Sequence, residues 1–173
     1  MTNVQLVEVS LEDARVAPLL AGVSDEYLAR YGVNDEMSRA VAPEFEPPSG
    51  CFLILIDDEI TVAGGGFRKH DERTCEIKRM WTHPSYRRQG HAERLLQGLK
   101  ERAGQAGYSR LILETGTRQP EAAALYLKVG YQPIPPFGHY PEALAFGIDL
   151  RIDLRIDLRT DLRTDFGTDF GTT

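Results

Sequence analysis

Apolar residues follow two different spacings in the middle of the chain. Residues 51–56 form an unbroken apolar run that predicts a buried strand, and residues 60–68 and 75–82 predict two further strands separated by short turns. From Gly90 to Ala103 the apolar positions recur at helical spacing instead. This part of the chain therefore predicts an antiparallel run of three strands followed by a helix.

The same patterns continue toward residue 150. Arg110–Thr115 predicts a strand, and Pro120 is a typical first residue for a helix. Residues 131–136 and 143–150 predict two more strands. The connection from the third strand through the long helix to Arg110–Thr115 predicts a parallel crossover, and strands joined in this way can separate to leave a gap for a ligand.

The start of the chain predicts short helices and a loop. Ser10 and Ser24 are each followed by acidic residues, which is typical of a helix start, and Pro18 is expected to kink or end the first helix. Residues 34–50 have no apolar period and contain several prolines, so we expect a loop that lies over a binding site. The order of elements predicts an α/β fold, a mixed sheet with helices on its faces.

Composition narrows the function classes. The chain has 173 residues and a net charge of -6, so we expect one domain over residues 1–150 and no nucleic-acid partner. No apolar run approaches the roughly 20 residues of a membrane span, and the start lacks the pattern of a secretion signal, so a cytoplasmic protein without a membrane partner is expected. Cys51 and Cys75 are predicted to be reduced core residues. The histidines lack metal-ligand spacing, and we expect no metal.

Two glycine-containing segments stand out, and the second of them is a candidate for anion binding. Gly64-Gly65-Gly66 lies within a predicted strand and favours a bulge or a close approach of neighbouring groups. The segment Arg87-Arg88-Gln89-Gly90-His91-Ala92 lies between a strand end and a helix start, where backbone N–H groups lack partners and the helix dipole is positive. Gly90 allows a close backbone approach and the arginines add charge, which together suit a pyrophosphate.

Three segments carry a family resemblance: Met80-Trp81-Thr82-His83-Pro84, then Arg87-x-x-Gly90-x-Ala92, then Ala124-Leu125-Tyr126-Leu127-Lys128-Val129-Gly130-Tyr131. At this separation they resemble the GNAT superfamily of acetyl-CoA-dependent N-acetyltransferases, over roughly residues 5–150. The resemblance implies the GNAT fold, a mixed and mostly antiparallel sheet of about seven strands flanked by about four helices.

The same resemblance implies a coenzyme site. It places the segment from Arg87 through Arg88, Gln89, Gly90 and His91 to Ala92 on the pyrophosphate of acetyl-CoA, and the backbones of Met80 and Thr82 beside the acetyl arm. Gln119 is placed near the coenzyme, at a position where many family members have Asn, which puts its side-chain contact in doubt.

Catalytic roles follow from the resemblance as open alternatives. Tyr126 matches the family tyrosine that assists the leaving thiolate, or it is a core tyrosine of its helix. Glu76 is a general base that accepts the proton of the amine, a solvated strand carboxylate, or an ion-pair partner of Lys78 or Arg79. We place Glu76 on one strand face with Met80 and Thr82. His139 is an alternative base, and residues 134–140 either line the acceptor pocket or form a stiff surface turn.

The resulting prediction is an N-acetyltransferase that moves an acetyl group from acetyl-CoA to a primary amine of a small molecule, either an amino acid or a polyamine-like compound, by direct attack. The alternative is a non-catalytic acyl-CoA-binding module. From Ile148 the chain repeats Ile-Asp-Leu-Arg and related tetrapeptides, a tail over residues 151–173 whose alternation predicts a strand. The tail either drives homo-oligomerisation or is a disordered end of little consequence.

Overall fold

The computed structural model describes residues 3–150, which form seven strands and three α-helices. The strands are β1 Gln5–Glu8, β2 Cys51–Asp57, β3 Ile60–Lys69, β4 Thr74–Thr82, β5 Arg110–Thr115, β6 Gln132–Ile134 and β7 Leu144–Asp149. The helices are α1 Ala17–Tyr31, α2 His91–Gln105 and α3 Pro120–Lys128, and short 3-10 helices cover Ala14–Val16, Asp35–Ser38, Ala42–Phe45 and Pro84–Tyr86. The expected fold class is confirmed, with one α-helix fewer than anticipated.

The strands form one mixed sheet in the order β1-β2-β3-β4-β5-β7-β6. Within residues 3–150, β4 and β5 are the one parallel pair, and the other neighbours run antiparallel. The chain passes through α2 between β4 and β5, so the predicted parallel crossover is confirmed. This pair lies at the centre of the sheet, where both faces are covered.

Helices cover the sheet on both faces, and the sheet separates two apolar clusters. One cluster packs under α2 and α3 and includes Leu95 and Leu99. The other packs under α1 and includes Leu19 and Trp81. Side chains of β2 alternate between the two clusters, which explains why its sequence is apolar at successive positions rather than at every second one.

The glycines of β3 permit close packing, as predicted. A Cβ on Gly64 would lie 2.4 Å from Cδ1 of Leu19, and one on Gly66 would lie 2.5 Å from Cδ2 of Phe52. The pairing of β3 with β4 also shifts register between Gly64 and Gly66, which is the predicted bulge. A larger residue at either glycine would therefore displace the side chain of Leu19 on α1 or of Phe52 on β2.

The start of the chain differs from the prediction. One helix, α1, replaces the two expected, and Ser24 lies inside it rather than at its start. Pro18 lies in the first turn of α1, where its missing N–H breaks no helical hydrogen bond, so it neither kinks nor ends the helix. The helix ends at Gly32, which has a φ of 73°. The strand β1 was not predicted, because it is a short edge strand with little buried surface.

Three sequence expectations concern other parts of the chain. Cys51 and Cys75 are free and buried as predicted, and burial raises the pKa of both thiols. None of the helices between residues 3 and 150 combines the length and apolar character needed to cross a bilayer. The predicted strand of the repeated tail, and its role in oligomerisation, lie outside the described residues.

Candidate active site

A cleft opens where β4 and β5 separate. The parallel pairing runs from Thr74 opposite Arg110 to Ile77 opposite Leu113, and stops there. Both strands continue beyond the last pair, β4 to Thr82 and β5 to Thr115. The backbone groups that face each other across this cleft no longer bond to one another. The gap that was predicted from the crossover is therefore present.

A bulge in β4 lies at the edge of this cleft. Arg79 has a φ of 60°, in the left-handed region, at the point where the pairing with β3 shifts register. The bulge reverses the side-chain alternation beyond it: Ile77 and Met80 contact the α2 cluster, whereas Trp81 contacts the α1 cluster. The expectation that Glu76 and Met80 share one strand face is therefore wrong, because strict alternation fails at a bulge.

The side chain of Arg79 fastens the loop over residues 34–45 to the bulge. Its Nη2 atom donates to the carbonyl oxygens of Met37 and Ala40, both at 2.8 Å. Its Nε atom is buried and has no hydrogen-bond partner among the described residues. Burial lowers the pKa of Arg79 below its ordinary value. The proline-containing loop is thus held over the cleft in part by main-chain contacts to Arg79.

The segment before α2 has the geometry of an anion site. Gly90 is the N-cap residue of α2 with a φ of 81°, and Arg88 has a φ of 61°. The N–H of Arg94 makes the first helical hydrogen bond, to the carbonyl oxygen of Gly90, so the amides before it have no intrahelical acceptor. Residues 87–90 are exposed, which leaves this positive helix end accessible.

Neighbouring contacts hold this segment in place. The guanidinium of Arg87 forms an ion pair with Glu26 of α1 and donates to the carbonyl oxygen of Thr82 at 3.3 Å. The side chain of Gln89 donates to the carbonyl oxygen of Ser85. Glu26 therefore compensates part of the charge of Arg87, whereas Arg88 has no ion-pair partner within residues 3–150.

A cavity of about 590 Å³ lies on the other side of the cleft. It brings together five of the sequence-predicted residues, Glu76, Met80, Gln119, Tyr126 and His139. Thr82 and residues 87–92 do not line it. The predicted coenzyme segment and the predicted catalytic residues thus occupy adjoining places rather than one pocket.

Glu76 is buried in the cavity wall and paired with cations on both carboxylate oxygens. Its Oε2 accepts from the Arg68 guanidinium at 3.1 Å, and its Oε1 lies 3.2 Å from Nζ of Lys78. Lys78 also forms an ion pair with Glu36 of the overlying loop. The predicted ion pair with Lys78 is present, whereas the alternative partner Arg79 binds carbonyl oxygens instead.

Tyr126 is buried at 5% exposure on α3 and lines the cavity. Its ring contacts Tyr131 and Phe146, with centroid separations of 5.9 and 5.8 Å. Burial, followed by the nearby Tyr27 phenol, raises the pKa of Tyr126 above its ordinary value. The phenol therefore keeps its proton and acts as a hydrogen-bond donor at neutral pH.

Gln119 closes the turn before α3. Its Oε1 accepts from the Thr115 hydroxyl at 3.2 Å and from the Gly116 N–H at 3.4 Å. The side-chain oxygen is thus engaged with its own turn, which leaves the amide NH₂ as the group for a ligand contact. The sequence put a coenzyme contact from this side chain in doubt because many family members have Asn here. The engagement of Oε1 with its own turn is consistent with that doubt.

Residues 137–140 line the cavity and face the loop over residues 34–45. The Tyr140 hydroxyl donates to Asp35 at 3.0 Å, and the Arg39 guanidinium lies 5.7 Å from the Tyr140 ring centroid. Residues 137–140 of the segment between the last two strands are therefore part of the cavity wall, and the prediction that this segment lines the acceptor pocket stays a prediction.

Sequence reasoning missed Glu114, which also lines the cavity. Its Oε1 accepts the N–H groups of Phe137 at 2.8 Å and Gly138 at 2.9 Å. The signal was available: Glu114 occupies the carboxyl end of a central parallel strand, next to the predicted gap, which is a frequent position for ligand-binding residues.

Comparisons with known proteins show which proteins this chain is similar to. The sequence model described as Acetyltransferase (GNAT) family matches residues 18–131. IAA acetyltransferase from Azospirillum brasilense is 39% identical over 97 residues, 56% of this chain and 56% of that protein. Uncharacterized N-acetyltransferase YsnE from Bacillus subtilis is 41% identical over 80 residues, 45% of this chain and 53% of that protein. The chain thus matches little more than half the length of either relative.

A solved structure extends the likeness in fold. A GNAT family acetyltransferase from Elizabethkingia anophelis, with acetyl-CoA bound, is similar at a TM-score of 0.64. The match covers 86% of this chain and 99% of the other, at 15% identity. At this identity the likeness concerns the fold alone.

Proposed function

The chain belongs to the acetyltransferase (GNAT) family, and from that premise we propose that it transfers an acetyl group from acetyl-CoA to a primary amine of a small molecule. The observation that carries the proposal is the cleft between β4 and β5. It has the unpaired amides before α2 on one side and a cavity lined by Tyr126 on the other. An acyl transfer between two substrates needs a binding place for each, and the cleft offers one on either side.

The segment before α2 fits a pyrophosphate. Gly90 and Arg88 place the backbone in left-handed conformations, which turn successive N–H groups toward one side, and Arg88 supplies a charge without an ion-pair partner in the described part of the chain. Residues 87–92 would hold the pyrophosphate and the backbones of Met80 and Thr82 would lie along the acetyl arm. The coenzyme supplies the acetyl thioester.

The reaction requires one proton acceptor and one hydrogen-bond donor from the protein. The amine nitrogen attacks the carbonyl carbon, a C–N bond forms, the C–S bond breaks with its electron pair on sulfur, and the amine loses a proton. A backbone group freed by the bulge around Arg79 is available to stabilise charge on the carbonyl oxygen.

Tyr126 is proposed as the donor to the leaving sulfur. Its raised pKa keeps the phenol protonated, and a phenol does not transfer its proton fully to a more acidic thiol, so the role is hydrogen-bond donation. Its place in the cavity wall supports this role, whereas its ring contacts with Tyr131 and Phe146 support the alternative of a core residue.

Glu76 is proposed as the proton acceptor. Its place in the cavity wall supports the proposal. Its contacts with Arg68 and Lys78 support the alternative that it anchors these cations, because a proton on either oxygen would compete with one of them. Glu76→Gln separates the roles: loss of a base lowers kcat and alters its pH profile, whereas loss of an anchor lowers thermal stability.

Two measurements on the purified chain test the proposal. Isothermal titration calorimetry with acetyl-CoA should show binding, and a thiol-release assay over a panel of primary amines should show turnover. Coenzyme binding without turnover on any amine would instead support a non-catalytic acyl-CoA-binding module. No binding of acetyl-CoA would overturn the enzymatic assignment and the residue roles attached to it.

A further inference from the structure

Glu114 lies in the cleft, one residue beyond the last pair of β4 and β5. In the parallel register Ile112 lies beside Glu76, and Glu114 is two positions further along β5. Residues two apart on a strand share a face, so Glu114 projects to the same side of the sheet as Glu76. The two carboxylates enter the cavity from neighbouring strands.

The two carboxylates have different partners. Glu76 has cations on both oxygens. Glu114 has two backbone N–H groups on Oε1 and, within residues 3–150, no cationic side chain at ion-pair distance. The Phe137 and Gly138 amides fix the position of the Glu114 carboxylate without neutralising its charge, so it can still bind a cation.

The other charges of this region balance. The ion-paired or carbonyl-bound groups comprise four acids and four bases, Asp35, Glu36, Glu44 and Glu76 against Arg39, Arg68, Lys78 and Arg79. Glu142 also lines the cavity without an ion pair among the described residues, but it is exposed to solvent, whereas Glu114 is partly buried. Glu114 adds one negative charge to this balanced set. A partly buried, uncompensated carboxylate in a cavity favours a positively charged ligand and disfavours an anionic group beside it.

We propose that Glu114 selects the acceptor, an inference that rests on the function proposed above. Its carboxylate binds the ammonium group of a primary amine monocation and disfavours zwitterions such as α-amino acids, which carry a carboxylate next to the amine. Aromatic side chains of the cavity, among them Tyr27, Tyr31 and Phe137, suit an amine with an apolar or aromatic body.

Phenethylamine and phenylalanine test this selection, because they differ by the α-carboxylate alone. Each is titrated by calorimetry into the full chain saturated with coenzyme A. We expect phenethylamine to bind at least about tenfold more tightly than phenylalanine, the scale of one charge-assisted hydrogen bond. Glu114→Gln keeps the shape and an acceptor oxygen, and it should reduce this preference to less than about threefold.

Gly138→Ala is a second variant that displaces the carboxylate without removing its charge. A Cβ at Gly138 would lie 2.1 Å from Oε2 of Glu114, so the end of the Glu114 side chain must shift. We expect the same loss of preference. Glu142→Gln is the matched control: it removes an exposed acid that lines the same cavity, and it should leave the preference within about twofold.

The outcomes separate this inference from the proposed function. Coenzyme binding is measured first. If coenzyme A does not bind, the proposed function is refuted, and titration of both amines into the protein without coenzyme decides the role of Glu114. Phenylalanine binding as tightly as phenethylamine, or neither binding, overturns the inference. So does a Glu114→Gln protein that folds and keeps the preference, since Glu114 would then only fasten residues 137–138. Thermal unfolding shows whether each variant is folded. If Glu114→Gln does not fold, Gly138→Ala provides the test of the inference in its place.

Discussion

The two sides of the cleft are built in different ways. On the proposed coenzyme side, the hydrogen bonds that hold the segment before α2 are local: Gln89 bonds to Ser85 and Arg87 to Thr82, and the ion pair of Arg87 with Glu26 is the one long-range contact named above. On the acceptor side, Tyr140 bonds to Asp35 across 105 residues of sequence, and other wall contacts are also long-range. The coenzyme side is thus one strand-loop-helix unit, whereas the acceptor wall assembles only when the whole domain folds.

This difference indicates which properties each side can change independently. A local unit keeps its shape through its own backbone conformation, so a mutation there should act on the coenzyme alone. A wall made of loops from distant parts of the sequence can vary without affecting the sheet, which suits the part that selects the acceptor. Mutations that affect one side and spare the other are therefore the way to test the comparison.

The largest effect is expected where the two sides meet, at Tyr126. Tyr126→Phe removes the proposed donor to the leaving sulfur and should lower kcat by about 100-fold, the lower range for general acid-base groups. Affinity for acetyl-CoA, measured by calorimetry, should change less than about twofold, because the ring and its contacts remain.

Tyr131→Phe is the matched control for that substitution. Tyr131 is also buried, its ring contacts Tyr126, and its hydroxyl has no hydrogen-bond partner in the described part of the chain. It does not line the cavity, so its loss should leave kcat unchanged. An equal loss of turnover and coenzyme affinity in Tyr126→Phe would assign that residue to packing instead.

A smaller effect, confined to the coenzyme side, is expected from Gly90→Ala. Nothing lies within 4 Å of a Cβ at Gly90, so the cost comes from its φ of 81°, which a residue with a side chain rarely adopts. The strain of about 1–2 kcal/mol should weaken acetyl-CoA binding roughly tenfold in calorimetry. Binding of the amine should be spared.

The control for Gly90→Ala lies on the same helix. Gly104 also has open space at its Cβ but no positive φ, so Gly104→Ala should stabilise the protein slightly, by up to about 1 kcal/mol in thermal or denaturant unfolding. If both alanines left coenzyme affinity unchanged, the left-handed conformation at Gly90 would not be part of the binding site.

Sequence patterns predicted the parts of the fold that depend on local order. The bounds of β5 and α3 follow from apolar spacing and from Pro120, and the crossover between β4 and β5 follows from the alternation of strand and helix. The errors fall where local signals mislead: Ser24 resembles a helix start but lies within α1, and β1 is too exposed to give a pattern.

The site shows the same limit. The segment before α2 could be proposed as an anion site from the sequence because its residues are consecutive. The face assigned to Met80 was wrong because the extra residue of the bulge lies in β4, near Arg79. The glycines of β3 indicated a bulge, but no local pattern in β4 showed that this strand carries the extra residue. The contacts of Glu114 with the amides of Phe137 and Gly138, and of Asp35 with the hydroxyl of Tyr140, could not be predicted because these partners lie far away in sequence.

A modest effect on the acceptor side is expected from Tyr140→Phe. The substitution removes the hydroxyl that bonds to Asp35 but keeps the ring beside Arg39. Because the bond is exposed, stability should change by less than about 0.5 kcal/mol, and the KM for the amine should rise about two- to threefold. Steady-state kinetics with both substrates varied measures this, and a weaker affinity for acetyl-CoA would contradict the independence of the two sides.

The smallest effect is expected from alkaline pH, and it tests the cavity side through its buried phenols. Burial, followed by Glu36, raises the pKa of Tyr27 to about 12, and burial also raises that of Tyr126 above the ordinary value of 10.0. Above about pH 10 the unfolded chain loses these protons while the folded protein keeps them, so the free energy of unfolding falls as pH rises from there.

Below pH 10 the Tyr126 donor stays protonated, and kcat should change less than about twofold between about pH 8.5 and 10. Denaturant unfolding at each pH measures the free energy of unfolding. Initial rates at saturating substrates measure kcat, with tyrosinate absorbance followed in parallel. A descending limb of kcat below pH 10 that follows ionisation of a tyrosine, and that Tyr126→Phe abolishes, would show that the phenol is accessible to water and that the cavity does not protect it.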